Sequence, residues 1–118
     1  MTKTVSVCMA TYNGARFVRH QLESILDGLH PSDEVVVVDD ASTDDTADVV
    51  AAVGDDRIRL IRSETNRGYV KAFEAVIAEA TGEIIFLSDQ DDEWVPGRRA
   101  LLVEALRDRS IAAGDLSL

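Results

Sequence analysis

Apolar residues recur along this chain in two rhythms, short runs that suit strands and stripes at three- and four-residue intervals that suit helices. Val5 to Ala10 is the first run and reads as a strand. Thr11-Tyr12-Asn13-Gly14 follows as a turn, because Asn-Gly tolerates positive φ. Phe17, Val18, Leu22, Ile25, Leu26 and Leu29 then form one apolar stripe, which predicts a helix that Gly28 is placed to end. Pro31-Ser32-Asp33 turns the chain into a second strand, Glu34 to Asp39. A loop from Asp40 to Thr46 ends in residues suited to cap a short helix carrying Val49, Val50 and Val53, and Gly54 stops that helix.

Arg57 to Arg62 mostly alternates, as a half-buried strand near a sheet edge does. After the loop Ser63 to Gly68, the residues Tyr69, Val70, Phe73, Val76, Ile77 and Ala80 predict a helix with one buried face. Thr81-Gly82 closes it, and a fourth strand starts at Glu83. Pro96 suits the first turn of a last helix with Leu101, Leu102, Ala105 and Leu106 buried, and the tail from Ser110 to Leu118 is too weakly patterned to predict anything but fraying. Four repeats of strand then helix, joined by right-handed crossovers, give an α/β fold: a mostly parallel sheet with helices on both faces.

With 118 residues, 46% of them hydrophobic, the chain suffices for one core and one domain. Acidic residues outnumber basic ones 22 to 12, a formal charge of -10, which argues against nucleic acid or an anionic membrane surface as the main partner. A nucleotide stays open, since a bound cation reverses the field inside a pocket. The single cysteine, Cys8, lies within the first strand and reads as a small core residue. Neither a signal peptide nor a membrane span is apparent, so the cytoplasm is the expected compartment.

The acids are concentrated where strands end. Ile84 to Leu87 is apolar throughout, as a strand buried on both faces must be, and it runs into Asp89, Asp91 and Asp92. Val35 to Val38 runs in the same way into Asp39 and Asp40. Crowded carboxylates raise one another's pKa unless something positive sits among them, and their oxygens suit a hard divalent ion such as Mg2+ or Mn2+. A solvated acidic turn is the alternative for either stretch taken alone.

Open α/β sheets bind ligands at their carboxyl edge. That edge would collect Thr11, Tyr12, Asn13, Asp39, Asp40, Arg67, Gly68, Asp89, Asp91 and Asp92. The set suits a nucleotide. Tyr12 offers a flat face to a base, Asp40 an acceptor to a pyrimidine ring N-H, and Asp89 an acceptor to ribose hydroxyls. Asp91 can hold a divalent ion between two phosphates, and Arg67 adds a positive charge. Asp39 can instead simply support its loop. No Gly-x-Gly-x-x-Gly follows the first strand and no P-loop is present; His20 and His30 read as surface residues.

The segments Val5 to Gly14, Val36 to Thr46, Asn66-Arg67-Gly68 and Phe86 to Asp92 together resemble the nucleotide-binding half of a family 2 glycosyltransferase with the GT-A fold. With Trp94 and Pro96, the last segment is similar to bacterial surface-polysaccharide enzymes, including rhamnosyltransferase-like members. The resemblance implies a Rossmann-like three-layer α/β/α domain over residues 1–118, binding a nucleoside diphosphate sugar of UDP or dTDP type. It implies Ala10, Thr11, Tyr12 and Asn13 around the base, Asp40 on the pyrimidine edge, Asp89 near the ribose and Arg67 near the diphosphate. Asp91 would be the main ligand of Mn2+ or Mg2+, with Asp92 beside it. The implied reaction is metal-dependent transfer of a sugar, with inversion, to a hydroxyl of a sugar or lipid-linked acceptor.

In that family the general base lies downstream of the acidic motif, so this chain is expected to be the donor-binding half of a longer catalytic domain, with doubtful activity alone. Its last helix is expected to leave an apolar face available for self-association. In the full-length protein the site is expected at the inner face of the membrane. Two rival readings are a receiver-type phosphoacceptor domain and a noncatalytic nucleotide-binding module.

Overall fold

A computed structural model of the chain describes residues 3–89, 103 and 111–113. It contains five strands, β1 (Val5–Thr11), β2 (Glu34–Asp39), β3 (Ile58–Arg62), β4 (Ile84–Asp89) and β5 (Ile111–Ala113). Three helices lie between them, α1 (Val18–Gly28), α2 (Thr46–Ala52) and α3 (Tyr69–Glu79). The strands form one parallel sheet in the order β3-β2-β1-β4-β5. This is the doubly wound order, and it excludes the receiver reading, whose sheet runs 2-1-3-4-5.

The alternation of side chains along each strand sorts the core into two clusters. Val5, Val7 and Met9 of β1, Val35 and Val37 of β2, and Ile84 and Phe86 of β4 pack against Leu22, Ile25 and Leu26 of α1 and Val50 of α2. Cys8, Val36 and Val38 face the other way, against Ala72 and Val76 of α3. Three layers result. Burial raises the Cys8 thiol to about 12, with the negative charge of Glu34 adding to the effect, so Cys8 is an inert core residue. β3 is the half-buried edge strand that its alternation predicts.

Two expectations are corrected. Phe17 and the pair Tyr69 and Val70 are exposed rather than part of buried stripes, at 50%, 63% and 69%. Phe17 is the N-cap of α1, and Tyr69 and Val70 are the first two residues of α3. Ile111–Ala113 is not frayed tail but a fifth strand, parallel to β4. Its three residues are too few to carry a period. The capping expected of the last residues of the loop before α2 comes from Asp44, which accepts the Thr46 amide at 2.9 Å, while the side chain of Asp45 makes no capping bond. As expected, α1 ends at Gly28, and the chain leaves through the extended Leu29. Val103, within the predicted last helix, is helical and packs on the first core cluster. Leu101, Leu102, Ala105 and Leu106 lie outside the described residues.

The amino edge of the sheet is closed by buried polar groups. Asp33, 3% exposed, accepts the amides of Val5 and His30, both at 2.8 Å. Glu34 accepts the Ser6 hydroxyl at 2.6 Å and the amide and hydroxyl of Thr81 at 2.8 and 2.9 Å, with Arg59 3.3 Å away. Burial works to raise its pKa, but the Ser6, Thr81 and Arg59 interactions outweigh it and hold the carboxyl below its ordinary 4.5. A depressed carboxyl contributes stability above its unfolded pKa and loses it as pH falls through the folded one. Urea midpoints measured downward from about pH 5 should therefore fall less steeply in Glu34→Gln than in the parent chain. Parallel slopes would show that Glu34 carries none of the acid sensitivity.

At the same edge Gly82 passes so close to β1 that an added Cβ would lie 2.7 Å from Ser6 N and 2.8 Å from Val5 C. These are backbone atoms of the central strand and have nowhere to move. Gly82→Ala is expected to cost about 2 kcal/mol by urea titration. A change near zero would mean that the turn relaxes freely.

Candidate nucleotide-binding edge

The carboxyl ends of β2, β1 and β4 stand side by side. Thr11 is in register with Asp39, and Ala10 with Asp89. β1 is followed by a crossover to one side of the sheet and β4 lies on the other, so the crevice of the strand-order switch opens above β1.

Three loops meet there and are tied by side chains. Asp39, 4% exposed, accepts the Thr11 hydroxyl at 2.7 Å, the Ser42 hydroxyl at 2.7 Å and the Ser42 amide at 3.0 Å. Asn13, at φ 50, turns its side-chain oxygen to the amide of Thr43 at 2.8 Å, while its own amide donates to the Ser42 hydroxyl at 2.9 Å. Gly14 donates to the Thr46 hydroxyl at 2.9 Å, and that hydroxyl in turn donates to Asp44. The Thr46 hydroxyl holds the Asp44 carboxyl below its ordinary range; burial opposes it, and the Thr46 and Ala15 amides reinforce it. Asn and Asp favour such local bonds, which let a turn hold its shape without a ladder.

Asp40 is equally buried, at 4% exposed, and is bonded toward the third loop. Its two carboxylate oxygens accept the amides of Arg67 at 2.9 Å and Gly68 at 3.0 Å, and its backbone oxygen accepts the Asn66 side-chain amide at 3.2 Å.

The residues expected to touch a nucleotide therefore divide into two groups. Ala10 is half-buried, Tyr12 is 44% exposed and Arg67 is exposed, so each presents surface at this edge. Thr11, Asp39 and Asp40 are buried and commit their side chains to protein partners, and Asn13, though exposed, does the same with its side-chain oxygen. The fixed backbone on both sides of Tyr12 is what presents its ring. Asp89 has its backbone in β4 beside Ala10. Asp91 and Asp92 lie outside the described residues.

One buried polar pair went unread in the sequence. Gln21 of α1, 2% exposed, donates to the Ser88 hydroxyl at 2.8 Å, one residue before Asp89. The signal was available, since Gln21 falls three residues after Val18 and four before Ile25, on the apolar face of its helix. A surface depression lined by Leu29, Pro31, Gly54, Asp55, Asp56 and Arg57 sits at the opposite, amino edge and has no part in this site. There Asp55, paired with Arg57 at 2.8 Å, is held down to about 2 by the Arg57 side-chain hydrogen bonds.

A profile of the family described as glycosyl transferase family 2 matches residues 6–116. The chain belongs to glycosyl transferase family 2. This family 2 chain is 41% identical over 110 residues to the succinoglycan biosynthesis protein ExoO of Rhizobium meliloti, covering 93% of the chain and 30% of ExoO. It is 34% identical over 91 residues to WfaP of Escherichia coli, named UDP-Glc:alpha-D-GlcNAc-diphosphoundecaprenol beta-1,3-glucosyltransferase, covering 77% of the chain and 36% of WfaP.

Among solved structures it is similar to the mannosyltransferase PcManGT from Pyrobaculum calidifontis in complex with GDP-Man and Mn2+. The TM-score is 0.83 at 34% identity, over 92% of this chain and 33% of that one. TarS 1-349 of S. aureus in complex with UDP-GlcNAc gives 0.78 at 29% identity, over 88% and 32%. The family 2 chain thus spans about a third of the length of these relatives. Its three-layer α/β architecture is that of the GT-A glycosyltransferases.

Among the described residues of this family 2 chain no three His, Cys, Asp or Glu side chains converge as a metal site, and no helix is long and apolar enough to cross a membrane. Asp39 and Asp40 are already coordinated by protein donors. The expected ligands Asp91 and Asp92 lie outside the described residues; carboxylate oxygens are hard donors of the kind that fit Mg2+ or Mn2+.

Proposed function

We propose that this edge binds a nucleoside diphosphate sugar as the donor half of an inverting, metal-dependent glycosyltransferase. The observation that carries this reading is the register that brings the ends of β2, β1 and β4 together, with Tyr12 presented between two tied loops. The base stacks on Tyr12 beside Ala10 and Thr11, and Asp40 retains a lone pair on each oxygen for a ring N-H. Asp89 takes the ribose hydroxyls and Arg67 the diphosphate. A cation held by Asp91 and Asp92 supplies charge compensation for the departing diphosphate.

In the transfer, an acceptor hydroxyl oxygen forms the new bond to the anomeric carbon from the face opposite the diphosphate. The old carbon–oxygen bond breaks with its electrons going to the diphosphate, and a carboxylate elsewhere in the enzyme takes the hydroxyl proton. The names of relatives that use UDP-Glc, GDP-Man or UDP-GlcNAc support a sugar nucleotide, and ExoO and WfaP support a sugar or lipid-linked acceptor in surface-polysaccharide synthesis. Such an acceptor would place the full-length enzyme in the cytoplasm at the inner face of the membrane.

Thermal titration of the chain with UDP, dTDP and GDP, each with and without Mn2+, tests this. One nucleotide is expected to raise Tm, and more so with Mn2+; stabilisation follows RT ln(1 + [L]/Kd), about 2.7 kcal/mol at 100-fold excess over Kd. No shift with any nucleotide would reject the reading.

A further inference from the structure

The bonding of Asp40 goes beyond contact with a base. Two successive amides, Arg67 and Gly68, converge on its carboxylate at the start of α3, with Gly68 at φ 92. Consecutive amides of this kind form an anion-binding concavity at the positive end of a helix. An internal carboxylate fills it here, so these amides are not offered to a phosphate. The Asn66 side chain adds a third tie to residue 40, whose own amide is anchored to Thr11 O at 2.8 Å.

Arg67 itself stands apart from its neighbours. Arg57, Arg59 and Arg62 are each paired with a carboxylate, at 2.8, 2.9 and 3.1 Å. Arg67 is exposed and forms no ion pair among the described residues, in a chain with 22 acidic residues. An arginine on an anchored backbone, with no ion pair among the described residues, suits an anion contact.

We infer that Asp40 is a positioning residue, a latch that fixes the Asn66–Gly68 loop so that Arg67 meets the diphosphate of the donor. This rests on the nucleotide-sugar reading. Asp40→Asn keeps the shape and one acceptor oxygen, but sets an amide against one loop N-H.

Two measurements test the latch. Without nucleotide, the Arg67 and Gly68 amides of Asp40→Asn should exchange hydrogen at least about 10-fold faster than in the parent, with the β1 amides unchanged. Unchanged protection at Arg67 and Gly68 overturns the latch whatever the ligand. Affinities for UDP and UMP, or GDP and GMP if the titration selects guanine, are then measured for Asp40→Asn, Arg67→Ala and the double variant. Each single variant should cut the diphosphate-over-monophosphate preference by about 10-fold, and the double variant no further. Equal losses for both nucleotides in Asp40→Asn would make Asp40 a base contact only and reject the latch. A parent chain that binds no nucleotide rejects the donor reading and Arg67's role with it, while the exchange result still decides whether Asp40 orders the loop.

Discussion

Asp91→Asn is expected to erase the difference between nucleoside diphosphate binding with and without Mn2+. Asparagine preserves the shape of the side chain and removes its charge, and a hard divalent ion bound through few protein oxygens depends on that charge. The buried state of Asp39 and Asp40 sharpens the expectation, since neither is placed to take over as a ligand. A loss of about 3 kcal/mol, roughly 100-fold in affinity, is the anticipated size in the presence of Mn2+, with metal-free affinity unchanged. Calorimetric titration of both proteins at matched Mn2+ concentrations measures it. Undiminished Mn2+ enhancement in the variant would remove Asp91 from the metal site.

Asp39→Ala should have the largest effect on the fold. The substitution leaves the Thr11 hydroxyl, the Ser42 hydroxyl and the Ser42 amide without the acceptor that all three share. Bonds to a charged group contribute about 1.5–3 kcal/mol each, and a stranded buried donor costs further; water entering the partly exposed Ser42 side offsets some of this. About 3 kcal/mol is expected, a lowering of Tm by roughly 15 °C for a domain of this size. Because Thr11 and Ser42 flank the two loops that present Tyr12, nucleotide binding should weaken even at temperatures where the variant stays folded. A melt within 3 °C or so of the parent would show that the loops hold without their shared carboxylate.

The hydrophobic pattern made the frame of this molecule legible because strands buried on both faces leave continuous apolar runs. Val35 to Val38 and Ile84 to Leu87 could hardly be anything else, and the acids that close them mark the carboxyl edge. Partners remote in sequence were not legible. The bonds from the Arg67 and Gly68 amides to Asp40 span 27 and 28 residues, and nothing in the local sequence marks them. The bonds of Thr11 to Asp39 and of Asn13 to Thr43 are equally remote, whereas the expectation that Asp39 supports its loop is met by the Ser42 bonds. Periodicity also misplaced Phe17, Tyr69 and Val70, since it reports phase along a helix and not which residues of its first turn are covered. Asp33 illustrates a third limit: a turn aspartate that is in fact buried beneath the amino edge.

The middle strand pairs with β2 on one side and with β4 on the other, and Val5 meets Ile84 only after about 80 residues of chain have intervened. While the polypeptide emerges from the ribosome, one flank of β1 therefore waits, sticky and unmatched, until that late segment arrives. Products halted before Ile84 would present that flank to one another or to chaperones, and should accumulate as aggregates during expression.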